Sequence, residues 1–99
     1  MDIVYLGHSS FRIKGKTATV VTDPYDEKCG KFPKDTEADI VTMSHDHEDH
    51  NRVDLVKSPE FIVRGPGEYE VKGVSIIGVH TWHDDKEGVE RGANTVYVI

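Results

Sequence analysis

Ninety-nine residues make one domain or part of one, and a chain of this size buries only about 60–65% of the surface it exposes when unfolded. Hydrophobic residues make up 36% of the chain and charged residues 30%, and a net charge of −6 with neutral histidines argues against a broad basic footprint for nucleic acid or an anionic membrane. A lone cysteine, Cys29, excludes an internal disulfide; no apolar run reaches transmembrane length, and Met1 to Tyr5 lacks the start of a signal peptide, so the chain reads as cytoplasmic.

The pattern along the chain is β-rich and punctuated by glycine. Ile3 to Leu6 is a first strand, closed by Gly7. Ser10 to Ile13 and Thr17 to Thr22 flank Lys14-Gly15-Lys16, a hairpin turn, and the β-branched run of the second strand stops at Asp23-Pro24 because proline has no N–H for a ladder. Residues 25–37 are polar, with Gly30 and Pro33, and are expected to form a surface loop. Ala38 to Met43 is almost wholly apolar, the signature of a strand buried on both faces.

Directly after that strand comes His45-Asp46-His47-Glu48-Asp49-His50, which holds half of the six histidines of the chain. Imidazole is the commonest neutral metal ligand near physiological pH, and carboxylates supply anionic oxygen. In an extended segment residues two apart share a side, so His45 and His47 can pinch one metal. If the chain then turns into a helix, Asp49 and His50 project from its first turn toward a second, neighbouring metal. A charge run on a loop can also be merely solvated, but a buried strand leading straight into the six-residue pattern favours a metal site.

Downstream, Asn51 to Lys57 can make a short helix with Val53 and Val56 on one face, ended by Ser58-Pro59. Phe61 to Val63 is a strand and Gly65-Pro66-Gly67 a turn. Glu68 to Val71 and Val74 to Ile77 flank the hairpin dipeptide Lys72-Gly73. Asp84 to Gly92 is a hydrophilic loop, and Asn94 to Ile99 is a strand that stops on apolar residues, which points to a continuation beyond it. Trp82 reads as a core residue and His80 as an ordinary strand or loop histidine.

The ordered set Tyr5-Leu6-Gly7-His8-Ser9-Ser10-Phe11, Val21-Thr22-Asp23-Pro24, Ser44 to Asn51, Gly65-Pro66-Gly67-Glu68-Tyr69-Glu70-Val71, His83-Asp84 and Arg91 to Tyr97 resembles the metallo-β-lactamase superfamily. More closely, it looks like the branch of small ascorbate-6-phosphate-lactonase-like Zn-dependent hydrolases. The resemblance implies an α/β (α+β) fold. Residues 1–99 would be one incomplete domain, the N-terminal half of a four-layer αββα sandwich, β-rich with one short helix after the metal motif.

By the same resemblance His45 and His47, with His83, bind a first metal, while Asp49 and His50 contribute to a second and stand at the catalytic centre. Asp23 braces the ligand loop. His8 falls near the site with no role assigned. The implied cofactor is divalent, zinc before manganese or iron, with up to two ions in a completed site. The implied reaction is hydrolysis of an ester, lactone or phosphoester of a small molecule by a metal-activated hydroxide. Arg91 could pair with a substrate anion, or be a surface residue.

The family draws a bridging aspartate, usually in a Gly-Asp motif, and a last histidine from its second half; this chain has neither. Either a C-terminal half is missing or a second copy completes the site in a homo-oligomer. The competing reading is a catalytically inactive metal-binding half-domain that functions, or crystallises, as an oligomer. A nuclease of the same superfamily is disfavoured by the acidic balance.

Overall fold

Alternation of side chains along the strands decides the layering. In the computed structural model, which describes residues 1–26, 28, 30–45, 52–57, 59–82 and 93–99, the strands are β1 (Asp2–Gly7), β2 (Ser10–Lys14), β3 (Thr19–Thr22), β4 (Ile40–Thr42), β5 (Phe61–Val63), β6 (Gly67–Val71), β7 (Val74–Trp82) and β8 (Ala93–Val98). The first five form one sheet in chain order, and the last three form a second. β1, β2 and β3 run antiparallel, whereas β3, β4 and β5 run parallel.

Successive residues of a strand face opposite ways, and here each face has its own core. Val21 and Val41 look toward an irregular layer that contains Tyr25, Phe32, Ala38 and Val56. Their neighbours Val20 and Ile40, with Val63, look toward Ile76 of the second sheet. Each such side chain contributes roughly 1.5–3 kcal/mol by leaving water. The expectation that the motif-bearing strand is buried on both faces holds, since Ile40, Val41 and Thr42 are all buried.

Three expectations are corrected. Residues 25–37 are not simply a surface loop: Tyr25 and Phe32 are buried and meet edge-to-face at 5.1 Å, covering the first sheet. The sequence missed this because two aromatics among polar residues show no period. The helix over 51–57 is instead, within its described part, one 3-10 turn, Val53–Leu55, without a side-chain cap. Val56 is already extended, and Lys57 pairs with the segment at Thr36 to Ala38. Tertiary pairing outweighs a helix of so few turns. Trp82 is not core: it is half exposed, with its ring edge-to-face with His80 at 4.6 Å.

The remaining boundaries shift by small amounts. β3 begins at Thr19 because Gly15 N–H closes the turn on the Ala18 carbonyl. β7 runs on to Trp82, since β8 pairs with it from Ile77↔Val98 to Trp82↔Ala93. Lys72 and Gly73, at φ +49° and +77°, make the tight hairpin expected of them. Gly78 lies tight against the turn between β5 and β6: an added Cβ would lie 2.9 Å from the Gly65 carbonyl oxygen.

The outward side of the second sheet exposes apolar side chains. Ile77 and Val79 of β7 stand beside Val98 and Val96 of β8, each about half exposed.

Candidate metal centre

Parallel topology gathers the candidate residues at one rim. β1, β3, β4 and β5 point the same way, so His8, Asp23, His45 and Arg64 follow their carboxyl ends on the same edge of the sheet. In open sheets with parallel strands that edge is where ligands bind.

Asp23 holds the head of the motif. Its backbone sits at φ +41°, a conformation that costs a residue with a side chain about 1–2 kcal/mol. There its amide donates to the Thr42 carbonyl at 2.8 Å, and one carboxylate oxygen accepts the Ser44 amide at 2.7 Å. The other accepts the Ser44 hydroxyl at 3.0 Å. Bonds to a charged acceptor are the strong ones, so the turn from Met43 into His45 is tied to the end of β3.

The second sheet reaches the same segment through β8. Tyr97 donates its hydroxyl to the Met43 carbonyl at 2.7 Å and accepts the Gly65 amide at 2.9 Å. Burial pushes the Tyr97 phenol above its ordinary pKa. The Thr95 amide donates to the Ser44 carbonyl at 2.7 Å. Asn94 Oδ1 lies 3.1 Å from His45 Nδ1, and Ser44 Oγ lies 2.8 Å from the same nitrogen.

Arg52 anchors the chain where it leaves the motif. Its guanidinium bridges Asp26 and Asp54, and its amide donates to the Pro24 carbonyl at 2.9 Å. Asp54 is held below the usual carboxylate range by the guanidinium. Asp26 is held there first by the Lys28 amide and then by Arg52.

Of the expected site residues, Asp23 and His45 are thus brought together. His47, Asp49, His50, His83 and Arg91 lie outside the described residues. Among the described residues no group of three or more His, Cys, Asp or Glu could hold a metal ion. The chemistry of what is described nonetheless fits one: an imidazole fixed through one nitrogen while the other faces its ligand is how histidine ligands are ordinarily held. His8 stands in the β1–β2 turn at φ +48°, its ring edge-on to Tyr25 at 5.9 Å. His80 is a strand residue, as expected. Nothing in the sequence singles out Ser44, Asn94 or Tyr97 beyond their place within the family-like segments Ser44 to Asn51 and Arg91 to Tyr97.

Residues 2–99 match the family described as the β-lactamase superfamily domain. The chain belongs to this superfamily. A solved structure from Thermotoga maritima, provisionally described as a Zn-dependent hydrolase of the metallo-β-lactamase superfamily, is 40% identical and superposes with a TM-score of 0.70 over 96% of this chain and 41% of its own. A UPF0173 metal-dependent hydrolase of Cereibacter sphaeroides is 27% identical over 91% of this chain and 38% of its own length. Another, YtkL of Bacillus subtilis, is 28% identical over 84% and 39% respectively. The chain therefore spans about two-fifths of the length of the curated relatives it matches. Its two layers of strands are the N-terminal half of the metallo-β-lactamase fold, β-rich with few helices. Among the described residues no helix is long and apolar enough to cross a membrane.

Proposed function

We propose that the chain carries the first-metal ligands of a hydrolase that cleaves an ester, lactone or phosphoester in a small molecule. The observation that supports this most is His45, held on its Nδ1 side by Ser44 and Asn94 and presented at the strand-end rim. Relatives named metal-dependent hydrolases support it from outside the chain. In this reading His45, His47 and His83 hold the first ion, Asp49 and His50 contribute to a second and stand at the reacting centre, and Asp23 braces the loop. Zinc is the preferred ion, with manganese or iron compatible with His and carboxylate donors. When bound, such ions supply Lewis acidity and a water acidic enough to act as nucleophile near neutral pH. An ascorbate-6-phosphate-lactonase-like substrate is one member of the proposed class. The cytoplasm is the proposed compartment.

The second reading, an inactive metal-binding half-domain that works as an oligomer, is favoured by the half-exposed apolar face of Ile77, Val79, Val96 and Val98. Either a second copy or a C-terminal half would cover that face.

Protein purified without chelator tests both readings by metal content, mass in solution and hydrolysis of a lactone, an ester and a phosphodiester. The hydrolase reading expects stoichiometric transition metal and turnover, both lost in His45→Ala/His47→Ala. Metal without turnover supports the second reading; a metal-free wild type overturns both.

A further inference from the structure

The contacts around His45 Nδ1 favour one arrangement of protons. Thr81 Oγ1 lies 3.2 Å from the Asn94 carbonyl oxygen, to which only the hydroxyl can donate. With its proton spent there, Thr81 Oγ1 faces the Asn94 amide nitrogen, 3.1 Å away, as an acceptor. This orients the Asn94 amide: Nδ2 toward Thr81, Oδ1 toward His45 Nδ1 at 3.1 Å. On the other side, the Ser44 hydroxyl is directed to Asp23 Oδ2, so Ser44 Oγ also meets Nδ1 as an acceptor, at 2.8 Å. With both oxygens as acceptors, the hydrogen belongs on Nδ1.

We propose that Asn94 is a positioning residue that, with the Asp23–Ser44 pair, holds neutral His45 in the Nδ1–H tautomer, so that the metal-binding lone pair is on Nε2. The inference deepens the reading of His45 as a metal ligand and rests on it.

The tautomer is therefore set partly from the opposite sheet. Tyr97, Thr95 and Asn94 of β8 hold Met43, Ser44 and His45 in turn, three consecutive residues against one strand. Forty-nine positions separate Asn94 from His45, so the pair exists only when β8 is docked. Readiness for metal and docking of β8 are one equilibrium, and whatever binds the ready form stabilises the docked sheet.

The test uses the full 99-residue chain, metal-free, with 15N-labelled histidine, and zinc alone as the probe. Ring 15N shifts of His45 are expected to show the Nδ1–H tautomer in the wild type and a mixture of both tautomers in Asn94→Ala. Zinc affinity, read by competition with a chromophoric chelator, is expected to fall about 10–100-fold in Asn94→Ala. Thr81→Val, which frees the amide to rotate without touching His45, is expected to move both readouts the same way by less. Asn94→Asp keeps an acceptor at Nδ1 and is expected to retain the tautomer. An Nε2–H wild type, or ring shifts unchanged in both Asn94→Ala and Thr81→Val, would overturn the proposal. If Asn94→Ala fails to fold, Thr81→Val and Asn94→Asp decide it alone. None of these readouts needs a substrate, so failure of the hydrolase reading leaves the tautomer question separately answered.

Discussion

The Tyr97 hydroxyl and the Met43 carbonyl, 2.7 Å apart, join the two sheets two residues before His45. Because the same oxygen accepts the Gly65 amide, Tyr97→Phe removes partners from groups on two loops at once. A loss of about 1–3 kcal/mol in urea unfolding is expected. The phenol has its folded pKa raised by burial, so its contribution is complete below the unfolded value near 10 and is lost as pH rises through the folded one. The stability difference between wild type and Tyr97→Phe should therefore shrink on the alkaline side of pH 10.

Asp23 combines a left-handed backbone with two hydrogen bonds to Ser44. Asp23→Ala loses both bonds and keeps the backbone strain, for an expected cost of about 2–4 kcal/mol. Asp23→Gly loses the bonds but relieves the φ, so it should be the milder change. Both should weaken zinc binding alike, by about 10–100-fold, because the affinity depends on the brace and not on the turn. Equal zinc affinity in wild type and Asp23→Gly would remove Asp23 from the site.

Asp39 is the corresponding tie at the far end of β3. It accepts the Thr19 amide at 2.8 Å and Lys72 at 3.0 Å, and the lysine also reaches Glu60. The Thr19 bond first, and Lys72 second, hold its carboxyl below the ordinary range. A depressed folded pKa stabilises above the unfolded value near 4 and stops doing so as pH falls through the folded one. Asp39→Asn should cost about 1 kcal/mol at neutral pH and flatten the acid limb of a stability-against-pH curve. An unchanged acid limb would assign that limb to other carboxylates.

The outward face of β7 and β8 should govern self-association. Val79 and Val96 are directly paired and each is about half exposed, so exchanging them costs little burial. Val79→Lys/Val96→Glu places opposite charges across the strands. The double variant is expected to sediment as a monomer with its unfolding midpoint nearly unchanged, where the wild type associates with rising concentration. A wild type that stays monomeric at every concentration would leave a C-terminal half as the cover for this face.

Residue types and local order determined the strands, the Lys72-Gly73 hairpin and the doubly buried β4, and they carry the proposal of a metal site at residues 45–50, because alternation, turn chemistry and ligand type are local properties. Tertiary structure decided the rest. Tyr25 and Phe32 became a layer over the first sheet, and the short segment after the motif kept one 3-10 turn before pairing beside Thr36. Above all, Asn94 meets His45 only because β8 crosses the end of β4. An asparagine among motif residues carries no sign of its partner. In the proposed arrangement the proton of His45 is set by Asn94 of β8 and by Ser44 as Asp23 orients it, and only packing brings Asn94 and Asp23 to that place.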